Sequence, residues 1–415
     1  MVGASGDYFD ELETHDPALR ERRLFDLLPQ QIRLAKEKAE GVAKLLRDVT
    51  PSDITSYAAL ARLPVIRKSE LIERQRQALP FGGLNATPVK ELARIYASPG
   101  PIYDAEGRGP DYWRMARALY AAGVREGELV HNCFAYHFTP AGMMIETGAE
   151  ALGCPVFPGG VGNTELQVKA IADLRPAVYA GTPSFLRVIV DKAKEMGADI
   201  SSLKKAVVGG EALPASLRGQ LAGHGISVLQ LYGTADLGLV AYESPAREGM
   251  ILDEWLIVEI VRPGTGDPVA EGEVGEIVVT TLNPDYPLIR FATGDLSAFL
   301  AGQSPCGRTN RRIKGWMGRA DQTTKVKGMF VHPAQVAELL RRHPNITKAR
   351  LVVDRLQQAD VMTLHCECAQ PDSDLAAAIS QSIEAVCKLK GEVMLVVPGS
   401  LANDGKVIDD VRKLD

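Results

Sequence analysis

Along residues 8–75 apolar side chains recur at roughly helical spacing, most clearly at Leu24, Leu27, Leu28, Ile32, Leu34 and Ala35. Thr14 and Asp16 stand where they can cap a helix over those positions. From about residue 128 the texture changes. ELVHNCF, CPVFPGG, AVYAGT, KAVVGG and VLQLYG are short apolar runs that end in glycine, threonine or a polar turn, and helical candidates lie between them at 138–152, 164–174, 184–196 and 214–223. Strand then helix, repeated, predicts a mostly parallel sheet with helices on both faces. In such sheets ligands bind at the carboxyl ends of the strands. From 255 to 300 the pattern is all-β: LIVEIV, the turn RPGTGDP, GEIVVTTL and a turn at NPDYP predict a hairpin or small barrel. After residue 318 the chain restarts with a helix (VHPAQVAELLRRH), two strands (ARLVVDR, VMTLHCE), a second helix (DLAAAISQSIEAVCKL) and a last strand (EVMLVVP). The reading is α/β: a large domain over 1–318 and a small α+β domain over 319–415, joined at roughly 318–325.

Composition narrows the function classes. The 415 residues carry a formal net charge of -5, so no broad basic field is expected and nucleic acid is not a partner. The first thirty residues are acidic and lack the apolar core of a secretory signal, and no run approaches the ~18 apolar residues of a membrane span. A cytoplasmic protein without a membrane partner is expected. The six cysteines are scattered, which is no disulfide framework and suits a reducing compartment. Cys366 and Cys368 lie two apart on an expected strand and so share a face; buried thiols are the expectation there, rather than zinc ligands.

Five segments carry candidate chemistry. VVGGEAL (207–213) reads as a strand running into a turn that ends in Glu211, and the bare backbone of Gly209 and Gly210 lets a planar ligand approach closely. LQLYGTADLG (229–238) puts Tyr232, Gly233 and Thr234 at a strand end, with Asp236 just beyond. A ring can stack on a purine, a hydroxyl can bind phosphate, and a carboxylate can hold magnesium, a hard cation that prefers oxygen. YPLIRFATGDLS (286–297) ends in Thr-Gly-Asp, and Asp295 suits a two-point contact to ribose hydroxyls. GRADQTTKVKG (318–328) gathers Arg319, Asp321, Lys325 and Lys327 at the domain junction. SLANDGKVIDD (400–410) carries Lys406, a compact mobile charge able to neutralise a developing pentavalent phosphate. Each segment by itself also fits a capped turn, a solvated junction or a soluble tail.

Taken together and in this order, the segments resemble the AMP-forming (adenylate-forming) ligase superfamily, and more closely the phenylacetate–coenzyme A ligase family, over nearly the whole chain. LARLPVIRKSEL (60–71) is similar to that family's N-terminal segment and residues 119–168 to its acyl-binding half. VGGEAL, LYGTAD, GEVGEIVVTTL, PLIRFATGDL, GRADQTTKVKGMFVHPAQV and DGK then come in the family's order. The resemblance implies that ATP and a carboxylic acid give an acyl-adenylate and pyrophosphate, and that coenzyme A thiol then attacks the mixed anhydride. It implies ATP or AMP, magnesium and coenzyme A as ligands. It places the adenine near Gly209, Gly210, Glu211 and Tyr232 beside Gly233, the ribose at Asp295 with Arg319 as its basic neighbour, the α-phosphate at Thr234, and the adenylation transition state at Lys406. Asp321 matches the hinge of the small domain. Phe134, Tyr136, His137 and Phe138 would line the acyl pocket, with 140–142 close by; three rings and an imidazole favour an aryl or arylacetic acid. A homodimer is expected on the habit of relatives alone.

Three departures stand out. The family's phosphate loop, a Ser/Thr/Gly-rich run ending in Gly-Lys-Pro, corresponds here to ARIYASPGPIYDAEGRG (93–109). Pro99 and Pro101 each remove an N–H donor, Asp104 brings the wrong charge to a triphosphate, and only Ser98 and Gly100 remain of the nucleotide cradle. Asp236 stands where the family has a magnesium-binding glutamate. Of the Cys/His cluster that relatives carry, only Cys306 is left, so no structural zinc is expected. The altered loop leaves open an adenylate-forming enzyme with a non-CoA acceptor or non-ATP chemistry, or a non-catalytic nucleotide- or acyl-binding protein.

Overall fold

Asp16 accepts hydrogen bonds from the backbone N–H groups of Ala18 and Leu19, and from that cap the helix Pro17–Lys38 runs with Leu24, Phe25, Leu28, Ile32 and Ala35 along its buried stripe. Thr14 belongs instead to the 3-10 turn before it, Glu11–Thr14, which Asp10 caps. The computed structural model describes residues 8–98, 101–262, 266–320, 324–327, 329–356, 359–401 and 407–412. The chain divides into two compact units: one runs to Trp316 apart from Gly294–Leu296, and the other holds those three residues and everything from Met317.

The strands up to Ile313, of which β13 gives Gly294–Leu296 to the second unit, are β1 (Ile66–Arg67), β2 (Arg94–Ser98), β3 (Ile102–Glu106), β4 (Val130–Asn132), β5 (Val156–Phe157), β6 (Val178–Gly181), β7 (Lys205–Val208), β8 (Ser227–Thr234), β9 (Gly238–Glu243), β10 (Met250–Leu252), β11 (Leu256–Val261), β12 (Gly275–Thr281), β13 (Phe291–Ser297), β14 (Phe299–Leu300) and β15 (Arg312–Ile313). Nine of them form one sheet in the order β14-β15-β10-β9-β8-β7-β6-β4-β5. From β5 to β8 neighbouring strands are parallel, linked through the helices Ala141–Ala151, Thr164–Leu174, Pro183–Met196 and Ala215–Gly223. Beyond β8 the pairing turns antiparallel, β8 to β9, β9 to β10, β10 to β15 and β15 to β14. The parallel sheet expected from the sequence is thus half of a larger mixed one. Residues alternate between two cores as the pleat requires: Val178, Ala180 and Val207 join Leu119, Ile145 and Ala149 on one face, while Tyr179, Ala206 and Val208 join Val168, Leu186 and Ile189 on the other.

The all-β stretch is shared between two sheets. β11, β12, β13 and β1 make a four-stranded sheet of linear order β1-β13-β12-β11, whereas β10, β14 and β15 extend the nine-stranded one. β2 and β3 pair as a separate hairpin.

The second unit has its own core, with Val331, Val336, Leu339, Leu351, Val353, Leu364, Cys366, Ile379 and Ile383 buried together. β16 (Thr324–Val326) pairs with β17 (Met329–Val331). β18 (Ile346–Leu356), β19 (Ala359–Cys368), β20 (Glu392–Val396) and β21 (Ile408–Asp410) form a sheet of order β20-β19-β18-β21, with the helices Pro333–Arg342 and Ser373–Cys387. Cys366 and Cys368 are buried free thiols on β19. No described helix is long and apolar enough to cross a membrane.

Candidate functional site

The carboxyl ends of β4, β7 and β8 carry Phe134–Phe138, Gly209–Glu211 and Tyr232–Asp236, and glycines shape the turns there. At the end of β7, a Cβ on Gly209 would fall 2.8 Å from Leu231 Cδ1. Gly210 has φ +79, and its open side faces Thr182 Cγ2 at 3.8 Å and Phe134 Cε1 at 4.0 Å. Glu211 turns away to the start of the helix Pro183–Met196, where its carboxylate accepts a hydrogen bond from Ser184 N at 2.7 Å. An acid there also suits the positive end of the helix dipole. At the end of β8, Tyr232 is buried and its hydroxyl lies 3.3 Å from Thr293 Oγ1. A register shift against β9 comes next, at Gly233, and Thr234 Oγ1 accepts from Leu237 N at 3.2 Å, closing the turn that presents Asp236.

Asp236 does not face open space. Its Oδ2 is 2.5 Å from Lys68 Nζ and its side chain is fully buried, while its Oδ1 has no hydrogen-bond partner among the described residues. Beside it lies Asp104 of β3, itself fully buried. Neither oxygen of Asp104 has a partner in hydrogen-bonding geometry among the described residues, although the Ser98 hydroxyl and the Asp236 carboxyl are close enough to bear on its ionisation. Burial first, and then the charge of Asp236, push the Asp104 carboxyl well above the ordinary range, against the pull of Ser98 and Lys68. The Tyr286 hydroxyl, also buried and unpartnered among the described residues, is raised by burial and by the same two carboxyl groups. Lys68 lies inside the family-like segment 60–71, yet nothing in the sequence gave it a role. Its contact with Asp236 spans 168 positions and leaves no local signal.

The stretch expected from the sequence to correspond to the phosphate loop forms the β2–β3 hairpin, in register from Arg94↔Glu106 to Ser98↔Ile102. Ser98 is buried and its hydroxyl bonds Ile102 O at 3.3 Å, within the hairpin itself. Gln75, which no sequence motif marked, accepts from Tyr103 N at 2.8 Å and donates to Tyr103 O at 2.9 Å, imitating a neighbouring strand. Ala97 N donates to Phe138 O at 2.8 Å, tying the hairpin to the segment 134–138.

That segment divides. Phe134 faces Gly210, and Tyr136 packs against Gly142 and Gly160. Asn132 Nδ2 donates to the Tyr136 hydroxyl and to Gly142 O, both at 2.8 Å, and Asn132 Oδ1 accepts from Phe134 N at 3.1 Å. Burial chiefly, with Glu146 adding, pushes the Tyr136 phenol up. His137 is exposed. Phe138, at φ 60, is 80% exposed and lines an apolar cleft of about 540 Å³ with Ile95, Tyr96, Tyr103 and Thr139. Within the second unit, Arg319 Nη1 is 3.3 Å from Asp295 Oδ1, and Gly294 at φ +77 leaves the room that the guanidinium fills. Gly100, Asp321 and Lys406 lie outside the described residues. Among the described residues no group of three or more His, Cys, Asp or Glu could hold a metal ion.

The family of AMP-binding enzymes matches residues 114–283. A phenylacetate–coenzyme A ligase of Thermus thermophilus is 33% identical over 386 residues, covering 88% of this chain and 85% of its own. This chain belongs to the phenylacetate–coenzyme A ligase family. A further phenylacetate–coenzyme A ligase, from Escherichia coli, is 29% identical, with 88% of each chain covered. An open-conformation structure of 2-hydroxyisobutyryl-CoA ligase, in complex with 2-HIB-AMP and CoA, matches in fold with a TM-score of 0.86 over 99% of this chain and 96% of that one, at 24% identity. As a phenylacetate–coenzyme A ligase family member the chain is an AMP-forming acid–thiol ligase, which the altered hairpin by itself left open.

Proposed function

We propose that this ligase activates an aryl or arylacetic acid with ATP, as the acyl-adenylate, and passes the acyl group to coenzyme A. A carboxylate oxygen attacks the α-phosphorus and pyrophosphate departs; the coenzyme A sulfur then attacks the acyl carbon and AMP departs. The observation that carries the choice of acid is the pair of rings beside glycines at the ends of the parallel strands: Phe134 Cε1 and Tyr136 Cδ2 each lie 4.0 Å from where a Cβ on Gly210 and on Gly160 would stand.

In this reading Gly209, Gly210, Glu211, Tyr232 and Gly233 take the adenine side, Thr234 the α-phosphate, Asp295 with Arg319 the ribose, and Ser98 and Gly100 what remains of the phosphate contacts. Phe138 and His137 extend the acyl side. Lys406 stabilises charge in the adenylation transition state and Asp321 serves as the hinge of the small domain. Magnesium binds few carboxylates and mostly substrate phosphates, and Asp236 Oδ1, without a hydrogen-bond partner among the described residues, suits such a hard cation. Asp236 would hold it by loosening its pair with Lys68, and the ion would supply charge neutralisation to the phosphates. A homodimer belongs to the same proposal.

Pyrophosphate release from the full chain with ATP, magnesium and a panel of aryl and arylacetic acids tests it, with thioester formation read by mass after addition of coenzyme A. Acid-dependent release that falls about 10²–10³-fold in Lys406→Ala is expected, the usual loss for one charge-stabilising contact. No release with any acid would overturn the reading.

A further inference from the structure

Three backbone carbonyls of one turn converge on a single side-chain amide. Gln167, buried in the first turn of the helix Thr164–Leu174, sets its Nε2 at 2.9 Å from Gly159 O, 3.1 Å from Gly160 O and 3.2 Å from Gly162 O. Its Oε1 lies 2.7 Å from His131 Nε2 and 3.8 Å from Cys133 Sγ. Carbonyl oxygens only accept, so the amide nitrogen must point at the turn and the amide oxygen at His131. His131 therefore carries a proton on Nε2 and donates it to Gln167. The imidazole is buried and stacked on Phe157, with ring centroids 5.0 Å apart, and burial holds its basicity below the ordinary value. The contact requires a proton on Nε2, and burial disfavours a second one on Nδ1.

A buried glutamine that ties down a loop is common. What sets this one apart is where its turn sits. Gly160, at φ +66, stands opposite Tyr136, and a Cβ there would come 4.0 Å from Tyr136 Cδ2. Gly160 N also donates to Asn132 O at 2.9 Å, and Asn132 in turn holds the Tyr136 hydroxyl. At Gly159 a Cβ would fall 2.4 Å from Gln167 Oε1, so the turn closes onto the amide with no atom between them. β4 thus supports both partners of this contact: Asn132 fixes Tyr136, and His131 through Gln167 fixes the glycine turn.

We propose that Gln167 is a positioning residue for the acid substrate, gripping the 159–162 turn, which backs Tyr136 at Gly160, so that the stand of that ring sets the girth of acid that the site admits. This rests on the reading of Phe134 and Tyr136 as lining the acyl pocket. No part of Gln167 touches substrate; it acts through the turn and Tyr136.

Steady-state kinetics with phenylacetate and the wider naphthylacetate test it, on the full chain and on Gln167→Glu, Gln167→Met, His131→Phe and Tyr136→Ala. Glutamate keeps the size of Gln167 and cannot donate to three carbonyls as an anion; methionine keeps the volume; His131→Phe keeps the stack and removes the donor. Both Gln167 variants are expected to raise the KM for phenylacetate about tenfold, the scale of a small misfit in an apolar pocket. The KM for ATP should stay within about twofold, and the preference for phenylacetate over naphthylacetate should shrink. His131→Phe should move the same values in the same direction by less, which decides the matter if the Gln167 variants fail to fold. An acid KM left unchanged, or one that rises only together with that for ATP, overturns the positioning role. Tyr136→Ala separates the two ideas. If it also leaves the acid KM unmoved, Tyr136 does not line the acyl pocket; if it raises that KM while the Gln167 and His131 variants do not, only the positioning role falls.

Discussion

A carboxyl group shut away from water without a hydrogen-bond partner keeps its proton to a pH at which exposed carboxyls have long lost theirs. Among the described residues Asp104 is so placed, with the charge of Asp236 beside it. Its folded-state affinity for the proton exceeds the unfolded one. The stability it contributes is therefore fully present at acid pH and is lost as pH climbs from the ordinary carboxylate range through the raised value. Asp104→Asn keeps the shape and removes the titration. The fall in Tm between pH 5 and pH 8 should be shallower in that variant, and an equal slope would count against the assignment. Lys68→Met should act in the opposite sense, leaving Asp236 buried and unpaired at a loss of about 3 kcal/mol in urea unfolding. The sequence made Asp104 legible as a charge of the wrong sign for a phosphate loop. It could not make legible that the charge is buried, because burial is set by Asp236 and Tyr286, far along the chain.

At the scale of the element, the β2–β3 hairpin, the stretch proposed to stand for a phosphate loop, is a braced ribbon. Gln75 pairs with the main chain of Tyr103 on one side, and Ala97 with Phe138 on the other. Gln75→Ala removes two hydrogen bonds from a backbone segment already short of water. It should lower stability by about 1–3 kcal/mol and raise the KM for ATP more than that for the acid; guanidinium unfolding and initial rates read the two effects. The helices were legible to within a few residues, Thr164–Leu174 and Pro183–Met196 among them, because their periodicity is local and their caps sit beside them. The antiparallel half of the large sheet was not. Which strands lie beside β10 is decided by partners such as Ile251↔Arg312, a pairing with no trace in the alternation of either strand.

For the whole molecule, the separate cores of the two units matter more than any one contact. Three cysteines, Cys133, Cys154 and Cys306, fall in the first unit, and three, Cys366, Cys368 and Cys387, in the second. Five are buried and Cys306 is half-buried. Burial alone would push the Cys306 thiol up, but hydrogen bonds with Ser244, Ser304 and Arg308 bring it below the usual thiol range. The sequence showed thiols outside any disulfide framework and the burial of Cys366 and Cys368, but not which of the others are buried. Their distribution makes the protein its own tally of opening. A maleimide given to the native chain should add once, at Cys306, and more than one rapid addition would contradict the burial of the others. As denaturant rises, intact mass should climb by a pair when the larger core opens and by a triplet when the smaller one does. The order of those two steps would name the half that lets go first, with no probe attached in advance.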